Sequence, residues 1–184
     1  MSHASQNFIP LNMAVLTVSD TRNFTNDTSG DLLTESLTAA QHVLYDRALV
    51  KDSVYLIRAI VSQWIADDKV NAILVTGGTG FSGRDSTPEA LLPLFDKTIE
   101  GYGELFRRIS YDEIASSTVQ SRAVAGLANN TVIFAMPGST NACRTAWNSV
   151  IADQLDARHK PCNFVAQLQQ KHPQGTIQYC GSRS

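Results

Sequence analysis

The sequence predicts an α/β fold with a mostly parallel sheet covered by helices. Two patterns carry this prediction. Short apolar runs of strand length alternate with longer segments of helical periodicity, and the runs are continuously apolar instead of alternating with polar residues. Strands that are apolar on both sides belong to sheets buried on both faces, which are mostly parallel. The size agrees with one domain. With 184 residues and 43% hydrophobic content, such a chain buries about 70% of the surface its unfolded form exposes and needs no staples.

The elements follow in order. Residues 1–11 are expected to be an N-terminal arm, and Met13–Val18 is an apolar run of strand length. The polar stretch Ser19–Thr28 comes next. Ser29 then caps a predicted helix whose Leu32, Leu33, Leu37 and Ala40 share one face. Val43–Lys51 is a second strand, with Tyr45 and Arg47 interrupting its apolar character. Val54–Asp67 has the clearest helical period, through Val54, Ile57, Ile60, Val61, Trp64 and Ile65. Val70–Thr76 and Val132–Met136 are further apolar strands, and a long helix from Ser139 buries Ala146, Trp147, Val150, Ile151 and Leu155. Between Pro88 and Ile114 the pattern is helical, with breaks expected at Gly101 and Gly103. Residues 12–165 thus form one domain, and 166–184 a polar C-terminal tail expected to be poorly ordered.

Composition narrows the partners. Fifteen basic and 17 acidic residues leave a formal charge of −2, and the isoelectric point is near 6.0. That balance argues against nucleic acid or an anionic membrane as the main partner. No apolar run approaches the roughly 20 residues of a spanning helix, and the polar start of the chain lacks the order of a signal peptide. Cys143, Cys162 and Cys180 have no metal-ligand spacing, and an odd count is a poor disulfide framework. A reducing cytoplasm is the expected compartment. His3 and His172 fall in the terminal segments, while His42 and His159 are expected to be exposed or capping. Trp64, Trp147 and Cys143 lie on apolar helix faces and are expected in the core.

In open α/β sheets ligands bind beyond the carboxyl ends of the strands. That rule selects four loops: Ser19–Thr28, Asp52–Ser53, Gly77–Thr87 and Pro137–Ser139. The segment Thr76-Gly77-Gly78-Thr79-Gly80 directly follows a buried strand, and its glycines let backbone N–H groups turn inward to cradle an anion. Thr87 and Pro88 suit the cap and first turn of a following helix. Gly78 to Gly83 has the spacing of a dinucleotide fingerprint, but Arg84–Thr87 intervene before the helix. The same glycines have Walker A spacing, yet Arg84 and Asp85 stand where lysine and a hydroxyl are required. Asp85 in an anion-favouring loop is repulsive unless a cation such as Mg²⁺ lies between, or it complements the dipole of the next helix. Asp52 ends the second strand, where either it or Ser53 suits a helix cap. Pro137-Gly138-Ser139 is a second strand-to-helix turn, readable as an anion site or as bare capping.

Leu16-Thr17-Val18-Ser19-Asp20, Asp27-Thr28-Ser29-Gly30, Thr76–Gly80, Asp85-Ser86-Thr87-Pro88-Glu89-Ala90, Ser121-Arg122 and Met136-Pro137-Gly138-Ser139 occur in one order. Together they resemble the MoaB/MogA family of molybdopterin-binding proteins, also found as a domain in gephyrin-like proteins. Ala90–Phe95, Gln120–Ala128 and the segment around Asp156–Phe164 are similar to the MoaB branch. The resemblance implies a three-layer α/β/α domain that binds molybdopterin and a nucleotide, as a homotrimer or homohexamer. It implies adenylyl transfer from ATP to the molybdopterin phosphate, with Asp52 and Asp85 as catalytic and Mg²⁺-holding carboxylates. A non-catalytic molybdopterin carrier or assembly scaffold is the alternative. The implied substrate-binding residues are Ser19, Asp20, Asp27, Ser29, Thr76, Gly77, Gly78, Thr79, Gly80, Arg84, Pro137, Gly138 and Ser139.

Overall fold

The computed structural model describes residues 7–169. The expectations for His3, His172 and Cys180, and for most of the two terminal segments, lie outside those residues. In chain order the elements are β1 (Asn12–Val18), α1 (Thr28–Ala39), β2 (Val43–Val50), α2 (Val54–Ala66), β3 (Ala72–Thr76), α3 (Thr87–Leu91), β4 (Lys97–Thr98), α4 (Glu100–Ile114), β5 (Val124–Ala128), β6 (Thr131–Met136) and α5 (Thr140–Ala146). Helix α5 runs on through a π-helical turn, Trp147–Ile151, into α6 (Ala152–Gln154), and α7 (Val165–Leu168) follows.

The six strands form one sheet in the order β2-β1-β3-β6-β5-β4. Strands β1, β2, β3 and β6 are parallel, β5 is antiparallel to β6, and β4 is antiparallel to β5. Alternate residues of a strand point to opposite faces, and the core divides accordingly. Met13, Val15, Leu74 and Phe134 join Leu33, Leu37, Phe106 and Trp147 on one side. Leu16, Ile73, Val75 and Ile133 join Ile57, Val61, Trp64 and Leu91 on the other. The architecture is therefore a helix–sheet–helix sandwich with a mostly parallel sheet, as the apolar runs predict. Strand β2 lies at an edge, which accounts for its broken apolar pattern: Val43, Leu44 and Tyr45 are exposed. Trp64, Trp147 and Cys143 are buried as expected.

Several local expectations are corrected. Asp27, not Ser29, caps α1, its carboxylate accepting from the Gly30 amide at 3.0 Å. Gly101 and Gly103 sit inside α4; the helical pattern breaks earlier, around Phe95–Ile99, where the chain turns into the sheet edge at β4. Strand β5 went unpredicted because Val-Ala-Gly-Leu-Ala has little β-forming character. Its partner is set by a two-residue hairpin turn, with Asn129 and Asn130 both at positive φ. His42 is neither exposed nor a cap. It is buried beside Phe8 and Trp147, and its Nδ1 accepts from the Leu11 amide at 3.2 Å. Packing also reaches beyond 12–165, since Leu11 and Leu168 are buried.

Candidate active site

Parallel strands β1, β3 and β6 end together, with Thr17 beside Thr76 and Thr76 beside Met136. Their following loops meet at the carboxyl edge and enclose a cleft of about 670 Å³. Ser19, Asp20, Asp52, Gly77, Gly78, Thr79, Gly80, Arg84, Asp85, Pro137, Gly138 and Ser139 all line it. The structure thus gathers twelve positions selected from four separate loops. Asp27, Ser29 and Thr76 are buried and are not among the lining residues. They support the wall from behind: Ser29 Oγ donates to the Gly138 carbonyl at 2.7 Å, and Thr76 Oγ1 bonds the Pro137 carbonyl at 3.1 Å.

The glycine turn has an unusual backbone. Gly77 and Gly78 have φ of +100° and +63°, which L side chains rarely adopt. A Cβ on Gly77 would strike the Val18 carbonyl, and one on Gly78 would lie 2.5 Å from Asp52 Oδ2. The turn's four carbonyls all accept from the protein. Thr87 Oγ1 donates to Gly77 at 2.8 Å and the Thr87 amide to Gly78 at 2.9 Å. The Arg122 amide donates to Thr79 at 3.2 Å and Arg122 Nε to Gly80 at 2.9 Å. In a trans peptide the next N–H points opposite to the carbonyl. The amides of Gly78, Thr79, Gly80 and Phe81 are therefore directed away from these protein donors. Thr87, expected to cap α3, instead locks the turn, and Ser86 holds the cap position without capping the helix through its side chain.

Neither catalytic candidate is a helix cap. Ser53 is the N-cap residue of α2 and makes no side-chain cap bond. Asp52 Oδ1 accepts from the Ser86 amide at 3.1 Å and from Ser86 Oγ at 2.6 Å. Asp85 Oδ2 accepts from the Ser82 amide at 2.7 Å. Both carboxylates are half-buried and flank the glycine turn. Arg84 is exposed and pairs with Asp20, Nε to Oδ2 at 2.8 Å. Asp20 also accepts from the Asp52 amide at 3.3 Å, so one carboxylate ties three loops together. Ser19 Oγ accepts the amides of Thr21 and Arg22 and shapes the first loop. Ser139 both caps α5, accepting from the Ala142 amide at 3.2 Å, and lines the cleft.

Beneath the floor, Cys143 Sγ lies 3.1 Å from Thr76 Oγ1. Burial pushes its thiol up to about 11, with hydrogen bonds from Thr76 and Ser29 acting the other way. It is a packed thiol at neutral pH. Asp27 is driven up by burial, but hydrogen bonds from Thr17, Arg47 and the Gly30 amide outweigh that and hold it below the usual carboxylate value.

Sequence reasoning missed Arg22, Ser117, Gln120 and Ser121, which also line the cleft. Arg22 Nη1 donates to Ser29 Oγ at 2.8 Å. A lone basic residue inside the polar Ser19–Thr28 stretch was the available signal. The other three arrive from the segment after α4, where the Ser121-Arg122 motif was the available signal.

The charged lining comprises Asp20, Asp52 and Asp85 against Arg22 and Arg84. Among the described residues no cluster of three or more His, Cys, Asp or Glu forms a metal cage. Asp52 and Asp85 nonetheless suit a hard cation. Mg²⁺ is usually held by one or two carboxylates together with a ligand's phosphates, and needs no complete protein cage.

The cleft lies at the carboxyl edge of a doubly covered α/β sheet, and comparison with known proteins shows the family. The family model described as "Probable molybdopterin binding domain" matches residues 14–157. Molybdenum cofactor biosynthesis protein B of Escherichia coli (strain K12) is 58% identical over 168 residues, covering 91% of this chain and 99% of that protein. A crystal structure of Molybdenum cofactor biosynthesis protein B superposes with a TM-score of 0.79 at 42% identity, covering 82% and 94% of the two chains. The tungsten cofactor synthesizing protein MoaB from Pyrococcus furiosus gives 0.71 at 32% identity, covering 78% and 92%. The chain belongs to the MoaB/MogA family of molybdenum cofactor biosynthesis proteins. No helix among the described residues is long and apolar enough to cross a membrane.

Proposed function

We propose that the cleft binds molybdopterin and transfers an adenylyl group from ATP to the molybdopterin phosphate. The observation that carries this reading is a glycine turn whose carbonyls are held by protein donors, flanked by Asp52 and Asp85. Amides directed away from those donors suit phosphate oxygens. Three carboxylates against two guanidiniums, however, repel a polyphosphate unless a cation accompanies it. Mg²⁺ arriving with the nucleotide, held by Asp52 and Asp85, would neutralise charge around the α-phosphorus.

A phosphate oxygen of molybdopterin forms the new bond to the α-phosphorus of ATP. The bond from that phosphorus to the α,β-bridging oxygen breaks, and pyrophosphate leaves with the electron pair. No proton transfer is required, so positioning and charge stabilisation are the protein's tasks. Glycine-turn amides and Ser139 at the Pro137–Ser139 turn suit the phosphate of molybdopterin. Arg22, whose Nη1 donates to the Ser29 hydroxyl that holds Gly138, borders the same turn, and Ser19 lines the cleft after β1. Arg84 becomes a phosphate ligand only if it leaves Asp20. In this reading the protein works in the cytoplasm as a homotrimer or homohexamer. Exposed Leu105, Tyr111 and Ile114 on α4 suit such an interface, and light scattering reads its size.

The decisive experiment incubates the full-length protein with molybdopterin and Mg-ATP and follows adenylylated molybdopterin and pyrophosphate. Equal amounts of both, absent without Mg²⁺, are expected. Molybdopterin binding with no product would overturn adenylyl transfer and leave a carrier.

A further inference from the structure

We infer that Arg122 is a positioning residue that sets the direction of the glycine-loop amides and of both cleft aspartates; the catalytic part of this inference rests on the adenylyl-transfer reading above. The guanidinium does not line the cleft. It borders a separate hollow of about 510 Å³ with Glu100, Glu104 and Arg107. It therefore reaches the cleft only through the loop between them.

That reach is a fork. Nε donates to the Gly80 carbonyl at 2.9 Å and Nη2 to the Asp85 carbonyl at 3.0 Å. Nη1 pairs with Glu89, and the guanidinium lies over the Phe81 ring, 5.1 Å from its centroid. Residues 81–84 are exposed, with Phe81 at 70%. Packing cannot hold this segment. Its internal bonds, Ser82 amide to Asp85 Oδ2 and Asp85 amide to the Ser82 carbonyl at 3.0 Å, give it shape, and the exposed Arg84–Asp20 pair is a solvent-facing tether to the first loop. The Arg122 fork fixes both ends of that shape to the start of β5.

The Asp85–Ser86 peptide shows the consequence. Arg122 Nη2 holds its carbonyl, while its N–H donates to Asp52 Oδ1 at 3.1 Å. One peptide plane is gripped by a cation on one side and a cleft carboxylate on the other, and its first residue is Asp85. Rotating that plane moves Asp52's partner and the Asp85 side chain together. The Gly80 carbonyl bond likewise fixes the Phe81 amide. Only a planar group with donors at fixed angles reaches two carbonyls and an acid at once, so lysine is not equivalent.

The test compares wild type, Arg122→Lys and Arg122→Gln as full-length protein. Amide hydrogen exchange is measured without ligand, and initial rates with molybdopterin and Mg-ATP. In Arg122→Gln, exchange at Ser82, Asp85 and Ser86 is expected to quicken about tenfold, with the central strands unchanged. Its kcat is expected to fall about 10²-fold, the Mg²⁺ concentration for half-maximal rate to rise, and the KM for molybdopterin to rise with the loosened glycine-turn amides. Arg122→Lys should recover only part of either effect. Unchanged exchange at those amides, or wild-type kcat with only a lowered melting temperature, overturns the inference. If wild type makes no product, the adenylyl-transfer reading fails, and exchange alone decides whether Arg122 positions the loop. Glu89→Gln removes one exposed anchor without endangering the fold. If Arg122→Gln does not fold, normal exchange at Ser82–Ser86 in Glu89→Gln overturns the proposal.

Discussion

Asp27 is completely buried and accepts from Thr17 Oγ1 at 2.7 Å, the Gly30 amide at 3.0 Å and Arg47 Nη2 at 2.9 Å. Asp52 and Asp85 stand half-buried a short distance away on the same sheet edge, accepting only from backbone amides and the hydroxyl of Ser86. One carboxylate is compensated by a fixed cation; among the described residues the other two have no guanidinium partner. A carboxylate matched by arginine and capped amides holds a helix in place. Carboxylates left with neutral donors are open to a mobile cation. Composition does not distinguish the two kinds of aspartate, but their partners do.

The largest effect should come from breaking the compensated site. Asp27→Ala leaves the partly buried Arg47 with Asp31 alone, strands the Thr17 hydroxyl and removes the α1 cap. A loss of about 3–5 kcal/mol is expected in urea unfolding. A loss under about 1 kcal/mol would mean that water replaces the carboxylate without difficulty.

The second test reverses the first. Asp85→Asn and Asp52→Asn keep shape and most hydrogen bonding, so unfolding should change little. Product formation from molybdopterin and Mg-ATP is expected to fall about 10²-fold or more, with molybdopterin affinity kept or improved as repulsion is removed. Normal turnover in both variants would remove the contrast between the two kinds of aspartate.

The smallest effect concerns a buried group without a dedicated counter-ion. Burial holds His42 below its ordinary value of 6.5, with the charge of Asp156 acting the other way. The folded protein therefore binds this proton less readily than the unfolded chain. His42 costs no stability above pH 6.5, and destabilises increasingly as pH falls from there toward the folded value. Protonation at Nδ1 would also displace the Leu11 amide. Melting temperatures of wild type and His42→Gln should converge on acidification between about pH 7.5 and pH 5. A constant difference across that range would show that His42 does not titrate.

Much of the fold was legible because burial on both faces imposes a pattern on sequence. β1, β3 and β6 read as unbroken apolar runs for that reason. β5 did not, since Gly126 is selected by the Phe95 ring, which lies where a Cβ would be. The site was legible where chemistry requires a residue type. Gly77 and Gly78 must tolerate positive φ, and both aspartates lie in loops after strands. Arg22 and the Ser117–Ser121 wall were not, because polar residues in loops have many uses and only proximity selects one.

By itself the sequence determined the alternation of strand and helix, the apolar faces and the loops able to bind anions, since these depend on local periodicity and backbone freedom. Tertiary structure alone decided which carboxylates are compensated. Asp27 meets Arg47 across 20 residues and Arg122 meets Gly80 across 42. Such pairings depend on strand order and the antiparallel turn-back of β5, where the free energy lies in contacts that neighbouring residues do not encode.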